Sequence, residues 1–312
     1  MQIDLANVNI SVVMATYNGE HFLRKQLDSI LAQTLQPREI IIIDDCSKDG
    51  TAAIANEYAE THQQIRFVAN EFNLGYIGNF EKGMLLATGD FIALSDQDDI
   101  WIAEKLEKLY RGIGGHLLIY SDSELIDEND AILHKKMSDI KNQIAYNNCL
   151  MYTIGAWAPG HTFLFKKELV KRCIPFPAIV THDFWLGYVA TCYSPIQYLP
   201  EPLVQYRQHH FNAIGADTHA KKMDQEKPSK EAKQEKSRKR MRMLYEKCPS
   251  ELVEQKQVLK TISDSYQSYS LKNNLTRMIV FFKYRNLILA YKRKSAFMKM
   301  LFCLKMFFKI DY

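Results

Sequence analysis

Residues 39–45 read EIIIIDD. Successive side chains of an extended strand point to opposite faces, so four isoleucines in a row require apolar cover on both sides. Glu39–Ile43 is therefore a buried strand, and the paired aspartates stand at its carboxyl end. Upstream, Ile10–Met14 (ISVVM) is a second β-branched run. Between the two, Phe22, Leu23, Leu27, Ile30 and Leu31 recur at helical spacing and predict a helix over Glu20–Ala32, with Pro37 in the loop that follows. Downstream, Asp49–Gly50 opens a helix to about Glu60, Ile65–Ala69 is a third strand and Ile77–Ala87 a third helix. Thr88–Gly89–Asp90 turns the chain into a fourth strand, Phe91–Leu94. Strand alternating with helix means an α/β fold, with a mostly parallel sheet flanked by helices on both faces.

Such sheets bind ligands beyond the carboxyl ends of their strands. Here those positions are Ala15–Asn18, Asp44–Ser47, Asn70–Gly75 and Ser95–Asp99, a polar and acidic set that the fold gathers into one crevice. The middle of the chain is less regular. His116–Tyr120 and Thr162–Phe165 read as strands, Lys166–Cys173 and Thr181–Cys192 as helices. Glu124–Asn148 is polar and reads as a mobile loop over the site. Gln197–Arg207 is extended, because Pro200 and Pro202 bar a helix.

The C-terminal third changes character. Asp217–Ser250 is highly charged and reads as a solvated helix or linker. From Leu271 onward Phe, Leu, Ile and Met mix with Arg277, Lys283, Arg285, Lys292, Arg293, Lys294, Lys299, Lys305 and Lys309, with Asp311 as the acid of that stretch. This divides the chain into a catalytic domain over 1–216 and a charged linker with a helical, basic, amphipathic extension over 217–312. The extension suits an interfacial helix on anionic lipid; the other reading is a helical lid packed on the catalytic domain with its basic face in water.

Bulk properties fit this layout. The chain has 312 residues, 47% hydrophobic and 24% charged, as in a soluble globular protein with a large core. A net charge of +4 does not call for nucleic acid. The six cysteines, Cys46, Cys149, Cys173, Cys192, Cys248 and Cys303, show neither CxxC nor zinc spacing. The N-terminus lacks the basic start and apolar run of a signal peptide, and no apolar run is long enough to span a bilayer. A reducing cytoplasm is the simplest compartment.

The chemistry concentrates in Ser95–Trp101, SDQDDIW. Three carboxylates within four residues repel one another unless a cation or hydrogen bonds compensate them. Mg²⁺ and Mn²⁺ favour a few carboxylates together with phosphate oxygens. The competing reading is a helix N-terminus near Ile100 capped by Asp98 or Asp99. One carboxylate of the Asp44–Asp45 pair can accept from the imide of uracil or thymine; the competing reading is an N-cap and turn, for which Ser47 and Asp49 suffice. Asp183 opens a helix, where an acid is favourable with the dipole or can act as a general base. His209 and His210 follow a strand end, where a structural role is common. Arg207 suits a diphosphate or a nearby acid.

Taken together, VVMATYNGEHFLRKQLDSILAQT, IIIDDCSKDGT and NEFNLGYIGNFEKGMLLATGDFIALSDQDD resemble family 2 glycosyltransferases of the GT-A fold, over about Asn9–Gly215. SDQDDIW, THDFWLGYVA and EPLVQYRQHH resemble the bacterial rhamnosyltransferase-like subgroup that builds O-antigens and capsules. The resemblance implies that Ala15, Thr16, Tyr17, Asp45, Asn73, Asn79, Asp96 and Gln97 bind the nucleotide-sugar donor. It implies Asp96 and Asp98, joined by His209, as ligands of Mn²⁺ or Mg²⁺, and Asp183 as the catalytic base of an inverting displacement. His210 stands where the family pattern has glycine. The implied partners are a dTDP- or UDP-sugar and a glycan acceptor that can be lipid-linked. Peripheral contact at the inner face of the cell membrane would run through the C-terminus. Rhamnose is suggested by the subgroup, and UDP-hexoses stay open. Two other readings stay open at this point: a nucleotidyltransferase, although ATYNGEHF lacks a Gly-rich basic loop, and a non-catalytic nucleotide-sugar or glycan-binding module.

Overall fold

The computed structural model describes Leu5, residues 7–209 and residues 229–309. The alternation predicted for the first hundred residues is present as β1 (Ile10–Thr16), α1 (Leu23–Leu31), β2 (Glu39–Asp44), α2 (Thr51–Thr61), β3 (Ile65–Ala69), α3 (Gly75–Leu86) and β4 (Phe91–Ser95). These strands pair in parallel in the order β3-β2-β1-β4. The isoleucines of β2 behave as their run requires. Ile40 and Ile42 pack with Val12, Leu27 and Ile30 on one face, Ile41 and Ile43 with Val13, Phe80 and Met84 on the other, and all four are 0% exposed. Each such burial contributes about 1.5–3 kcal/mol, which makes the sheet interior the main source of stability.

The second half turns the sheet into a mixed one. β5 (Ile100–Trp101), α4 (Lys105–Ile113), β6 (Leu118–Ile126), β7 (Ile132–Lys136), α5 (Met137–Ile140), β8 (Phe163–Lys166), α6 (Glu168–Cys173), α7 (His182–Thr191) and β9 (Ile196–Arg207) follow in order. The nine-stranded sheet continues β4-β8-β6-β9-β5, with β7 on β6. β8 is antiparallel to β4 and β6, β9 parallel to β6, and β5 and β7 antiparallel to their partners. The insertion of β8 beside β4 carries the loop before it into the crevice.

Two segments differ from the sequence reading. Glu124–Asn148, expected as a mobile loop, holds the end of β6, all of β7 and α5, and a bridge from Tyr146 to Ile196. Every residue of β7 is exposed. An outer strand with water on both faces carries polar residues and lacks the apolar alternation that marks a half-buried strand. The helix expected to start near Ile100 starts instead at Lys105, with β5 between. In β9 the two prolines lie at the irregularity of the β6 pairing, which passes from Ser121–Leu199 to Asp122–Pro202, because proline offers no N–H to the ladder.

The C-terminal region is helical: α8 (Lys230–Lys247), α9 (Val253–Ser265), α10 (Leu271–Lys283), α11 (Arg285–Ile288) and α12 (Ala296–Lys305). Ser229, Ser270 and Ser295 cap α8, α10 and α12 by accepting from backbone N–H groups. Met241, Leu244, Val258, Ile262, Phe281, Ile288, Leu289, Cys303 and Met306 belong to the same core cluster as Phe80, Tyr152 and Trp185 of the first 209 residues. The expected boundary between residues 216 and 217 lies outside the described residues.

Candidate active site

The loops after β1 and β2 interlock. The Asp44 carboxylate accepts from the Thr16 hydroxyl at 2.9 Å, the Ser47 hydroxyl at 2.5 Å and the Ser47 amide at 2.9 Å. Asn18 N donates to Ser47 Oγ and Asn18 Oδ1 accepts from Lys48 N. Asn18 adopts φ 49° and Cys46 φ 65°, a left-handed geometry that asparagine tolerates better than most residues. Asp44 is thus engaged in the turn, while Asp45 turns toward the β3–α3 loop. Its Oδ1 accepts from Asn70 Nδ2 at 2.8 Å and Leu74 N at 2.7 Å.

Asn73 and Asn79, expected to line the nucleoside pocket, brace Asp45. Asn73 donates to the Asp45 carbonyl at 3.0 Å. Asn79 is buried, accepts from Asn70 and donates to the Ile43 carbonyl, both at 2.8 Å. Thr16 is buried through its bond to Asp44, Ala15 lies on β1 facing Ile43 of β2, and Tyr17 is half-exposed at the mouth. The Gln97 amide is engaged on both sides by the backbone of Tyr17: Tyr17 N donates to Oε1 at 2.8 Å and Nε2 donates to the Tyr17 carbonyl at 3.0 Å. Gly19 leaves room for it, since a Cβ there would lie 2.3 Å from Gln97 Oε1.

Beyond β4 the three carboxylates take different environments. Asp96 is partly exposed, its Oδ2 3.7 Å from His161 Nδ1. Asp98 Oδ2 lies 2.8 Å from His209 Nε2. Asp99 is 0% exposed; its Oδ1 accepts from the Arg207 amide at 3.1 Å and its Oδ2 is buried without a hydrogen-bond partner. The competing reading, a helix near Ile100 capped by Asp98 or Asp99, does not hold: β5 follows Asp99 and pairs with β9, which brings the Arg207 amide onto the Asp99 carboxylate. Arg207, also 0% exposed, pairs with an acid: Nη1 lies 2.5 Å from Asp130, and Nε donates to the Asp98 carbonyl at 2.7 Å. His210 lies outside the described residues.

His161 was not visible in the sequence reading. It precedes β8, is buried, stacks on Tyr206 with ring centroids 4.6 Å apart and bonds Ser123 Oγ through Nε2 at 2.9 Å. No spacing marks it; only the placement of β8 beside β4 brings it under the acidic loop. The ligand atoms of Asp96, Asp99 and His161 all lie within 4.8 Å of one another. Burial, with the Lys105 ammonium adding to it, pushes the imidazole down to about 3 and keeps it neutral. Although its side chain is 39% exposed, desolvation of its carboxyl and the charges of Asp98 and Asp183 push Asp96 up to about 7. Asp99 is also driven well up, by burial and then by Asp98 and Asp96. Lys105, itself 0% exposed, donates to the His161 carbonyl at 2.7 Å and lies over the Trp101 ring. Oxygen and imidazole donors with a partnerless buried Asp99 Oδ2 fit a divalent cation, which would relieve the repulsion that raises these carboxyls.

Asp183 stands in the first turn of α7. Its Oδ1 accepts from the Thr181 hydroxyl and, at 2.7 Å, from the Phe184 amide. A Cβ on Gly160, the neighbour of His161, would come within 3.2 Å of the Asp183 Cβ. Asp183 also raises the Asp96 carboxyl and, behind burial, the half-exposed Tyr76 phenol through its charge. The crevice thus holds a braced Asp45, the acidic loop and Asp183.

The Glycosyl transferase family 2 profile matches residues 11–173. The UDP-Glc:alpha-D-GlcNAc-diphosphoundecaprenol beta-1,3-glucosyltransferase WfgD of Escherichia coli is 34% identical over 180 residues, 57% of this chain and 67% of that protein. The dTDP-rhamnosyl transferase RfbG of Shigella flexneri is 29% identical over 219 residues, 65% of this chain and 74% of that protein. The crystal structure of S. aureus TarS 1-349 in complex with UDP-GlcNAc superposes with a TM-score of 0.58 at 17% identity, covering 98% of this chain and 82% of that one. That likeness carries the fold, a GT-A arrangement with C-terminal helices.

Proposed function

The chain belongs to glycosyl transferase family 2, and from that premise we propose that it is a metal-dependent inverting enzyme that moves a sugar from a nucleoside diphosphate to a hydroxyl of a growing cell-surface glycan. The observation that carries this reading is the convergence of Asp183 on the acidic loop: Gly160 packs against Asp183, and its neighbour His161 lies 3.7 Å from Asp96. A module that only bound nucleotide-sugars would have no use for a carboxylate held there. With Oδ1 engaged by Thr181 and Phe184, the Asp183 carboxylate is fixed in orientation to receive a proton.

In the proposed reaction, Asp183 takes the proton of the acceptor hydroxyl as that oxygen bonds to the anomeric carbon. The bond from that carbon to the diphosphate oxygen breaks on the opposite face, and nucleoside diphosphate leaves. Asp96, Asp98 and His209, with Asp99 and His161 behind them, would hold Mn²⁺ or Mg²⁺, which supplies charge neutralisation at the departing diphosphate. Asp45, braced by Asn70, Asn73 and Asn79, would accept from the N3–H of uracil or thymine, and half-exposed Tyr17 would cover the nucleoside. Gln97 acts here by fixing Tyr17.

The relatives named as a UDP-Glc:alpha-D-GlcNAc-diphosphoundecaprenol glucosyltransferase and a dTDP-rhamnosyl transferase support a UDP- or dTDP-sugar donor, rhamnose among the candidates; the proposed acceptor is an O-antigen or capsule glycan. A lipid-linked acceptor would place the reaction at the cytoplasmic face of the membrane. A panel of UDP- and dTDP-sugars with Mn²⁺, read by release of nucleoside diphosphate, tests the reading. Turnover with one donor supports it; full-length protein that binds donors but releases no diphosphate with any of them, with or without acceptor glycans, would reduce it to a binding module.

A further inference from the structure

We infer that α10 and α12 form a ready-made amphipathic platform that seats the protein on an anionic lipid surface. This rests on the glycosyl-transfer reading only in that a lipid-linked acceptor would make the location useful; the surface itself is argued from its own residues.

On α10, Leu271, Leu275 and Ile279 recur every fourth residue and are 67%, 39% and 58% exposed. Helical geometry puts them opposite Arg277 and Phe281, both 0% exposed. On α12, Phe297, Met300 and Leu304 form a second stripe, 65%, 43% and 46% exposed, while Cys303 and the C-cap residue Met306 are buried. Apolar side chains exposed singly are ordinary; two stripes on neighbouring helices are not.

Charge selects the occupant. From Tyr266 through Lys309 the chain contains ten Lys or Arg and neither Asp nor Glu. The last ion pair along the described chain joins Lys260 and Asp264. Exposed Lys272, Lys283, Lys294 and Lys305 therefore present their charge beside the stripes. A second copy of the chain would bring the same uncompensated cations into the contact, which like-charge repulsion opposes. An anionic bilayer answers both the apolar stripes and the cations. Among the described residues no helix is long and apolar enough to cross a membrane, so the contact is interfacial.

The platform is already folded. The buried Arg277 guanidinium donates to the Met306 carbonyl at 2.6 Å, the Ser265 carbonyl at 2.5 Å and Asn274 Oδ1 at 2.7 Å, tying α9, α10 and the end of α12 together. The inner sides of these helices join the main core. Lipid binding thus needs no coil-to-helix transition, in contrast to a tail that folds on the membrane.

The test uses the full chain with phosphatidylglycerol-containing and pure phosphatidylcholine vesicles, read by co-sedimentation. Expected are binding to the anionic vesicles, at least tenfold weaker binding to the zwitterionic ones, and unchanged far-UV circular dichroism on binding. Ile279→Asp, Phe297→Asp and the pair Lys294→Glu with Lys305→Glu should each weaken vesicle binding at least tenfold and leave hydrolysis of soluble donor unchanged. Equal binding to both vesicles, unaltered binding of all three variants, or a rise in helicity on binding would overturn the proposal. So would a wild-type dimer in sedimentation that Ile279→Asp disperses, since that assigns the face to self-association. Vesicle binding is read without donor, so missing donor hydrolysis would count against the glycosyltransferase reading while the lipid result stood.

Discussion

Arg207 Nε donates to the carbonyl oxygen of Asp98 at 2.7 Å, so a fully buried guanidinium holds the backbone of the acidic loop. The same side chain reaches Asp130 and the carbonyl of Asp127 in the β6–β7 turn, and Lys25 holds Asp130 from the far side. Arg207 therefore works as a strut between two loops, acting on the site through Asp98. Arg207→Met removes several hydrogen bonds from a charged donor, each worth about 1.5–3 kcal/mol. A loss of at least ~2 kcal/mol of stability by denaturant titration is expected, with weakened donor binding in the protein that stays folded. Unchanged stability would remove the strut.

Asp183→Asn preserves the bonds from Thr181 and Phe184 yet cannot take a proton. A general base contributes about 10²–10⁴-fold, so kcat for transfer should fall by that factor while donor affinity by calorimetry changes less than twofold. Retained turnover would take Asp183 out of the base role.

The Asp96 carboxyl, pushed up to about 7 by burial and by Asp98 and Asp183, sets a pH dependence. A carboxyl raised by folding stays protonated and tolerated at low pH; its ionisation disfavours the metal-free fold as pH rises through about 7. A divalent cation binds the ionised form and reverses that cost. Mn²⁺ should therefore raise the melting temperature more at pH 8 than at pH 6, and its affinity should fall below pH 7. Equal shifts at both pH values would rule out Asp96 as a ligand.

Gly19→Ala drives a Cβ to within 2.3 Å of Gln97 Oε1. The atom met is the far end of a flexible, partly exposed side chain, so the amide swings away from the Tyr17 backbone at little cost in stability. A raised donor KM is expected. Truncating the clashing side chain as well, in Gly19→Ala with Gln97→Ala, should leave KM raised. Recovery of KM would show that the Tyr17–Gln97 pairing does not shape the donor site.

His161→Asn and His209→Asn distinguish the two histidines near the acidic loop. If both ligate, each loses at least about 10–100-fold in Mn²⁺ affinity, the range for removing only a hydrogen-bond partner of a ligand. An effect confined to His209→Asn would leave His161 as a buried prop beneath Asp96 and Asp99.

The sheet was legible because β2 writes its environment into four consecutive isoleucines, and each strand end then points to the crevice. That rule marks the segments Asp44–Ser47 and Ser95–Asp99, and the family resemblance singles out Asp45 and Asp98 within them. His161 could not be found this way, because it reaches the site through an antiparallel strand whose position no local pattern specifies. Lys105 carries no local mark either, and only the fold buries it over Trp101. The environment of Asp99 has no local signal, because two residues, Ile100 and Trp101, are too few to announce a strand. The apolar stripes of α10 and α12 were present as composition; which residues face outward depends on what Arg277 and Met306 bury.

Tyr188 Oη of α7 donates to the carbonyl of Leu244 in α8, and the core runs unbroken from the sheet into the C-terminal helices. This seam limits what protein engineering can do with the chain. A graft that exchanges residues 229–309 between relatives must carry the matching face of α7 with it, or leave unmatched surfaces on both pieces. For the same reason, a deletion that silences the enzyme would report a broken interior before it reported a missing function, and single outward-facing substitutions are the cleaner instrument.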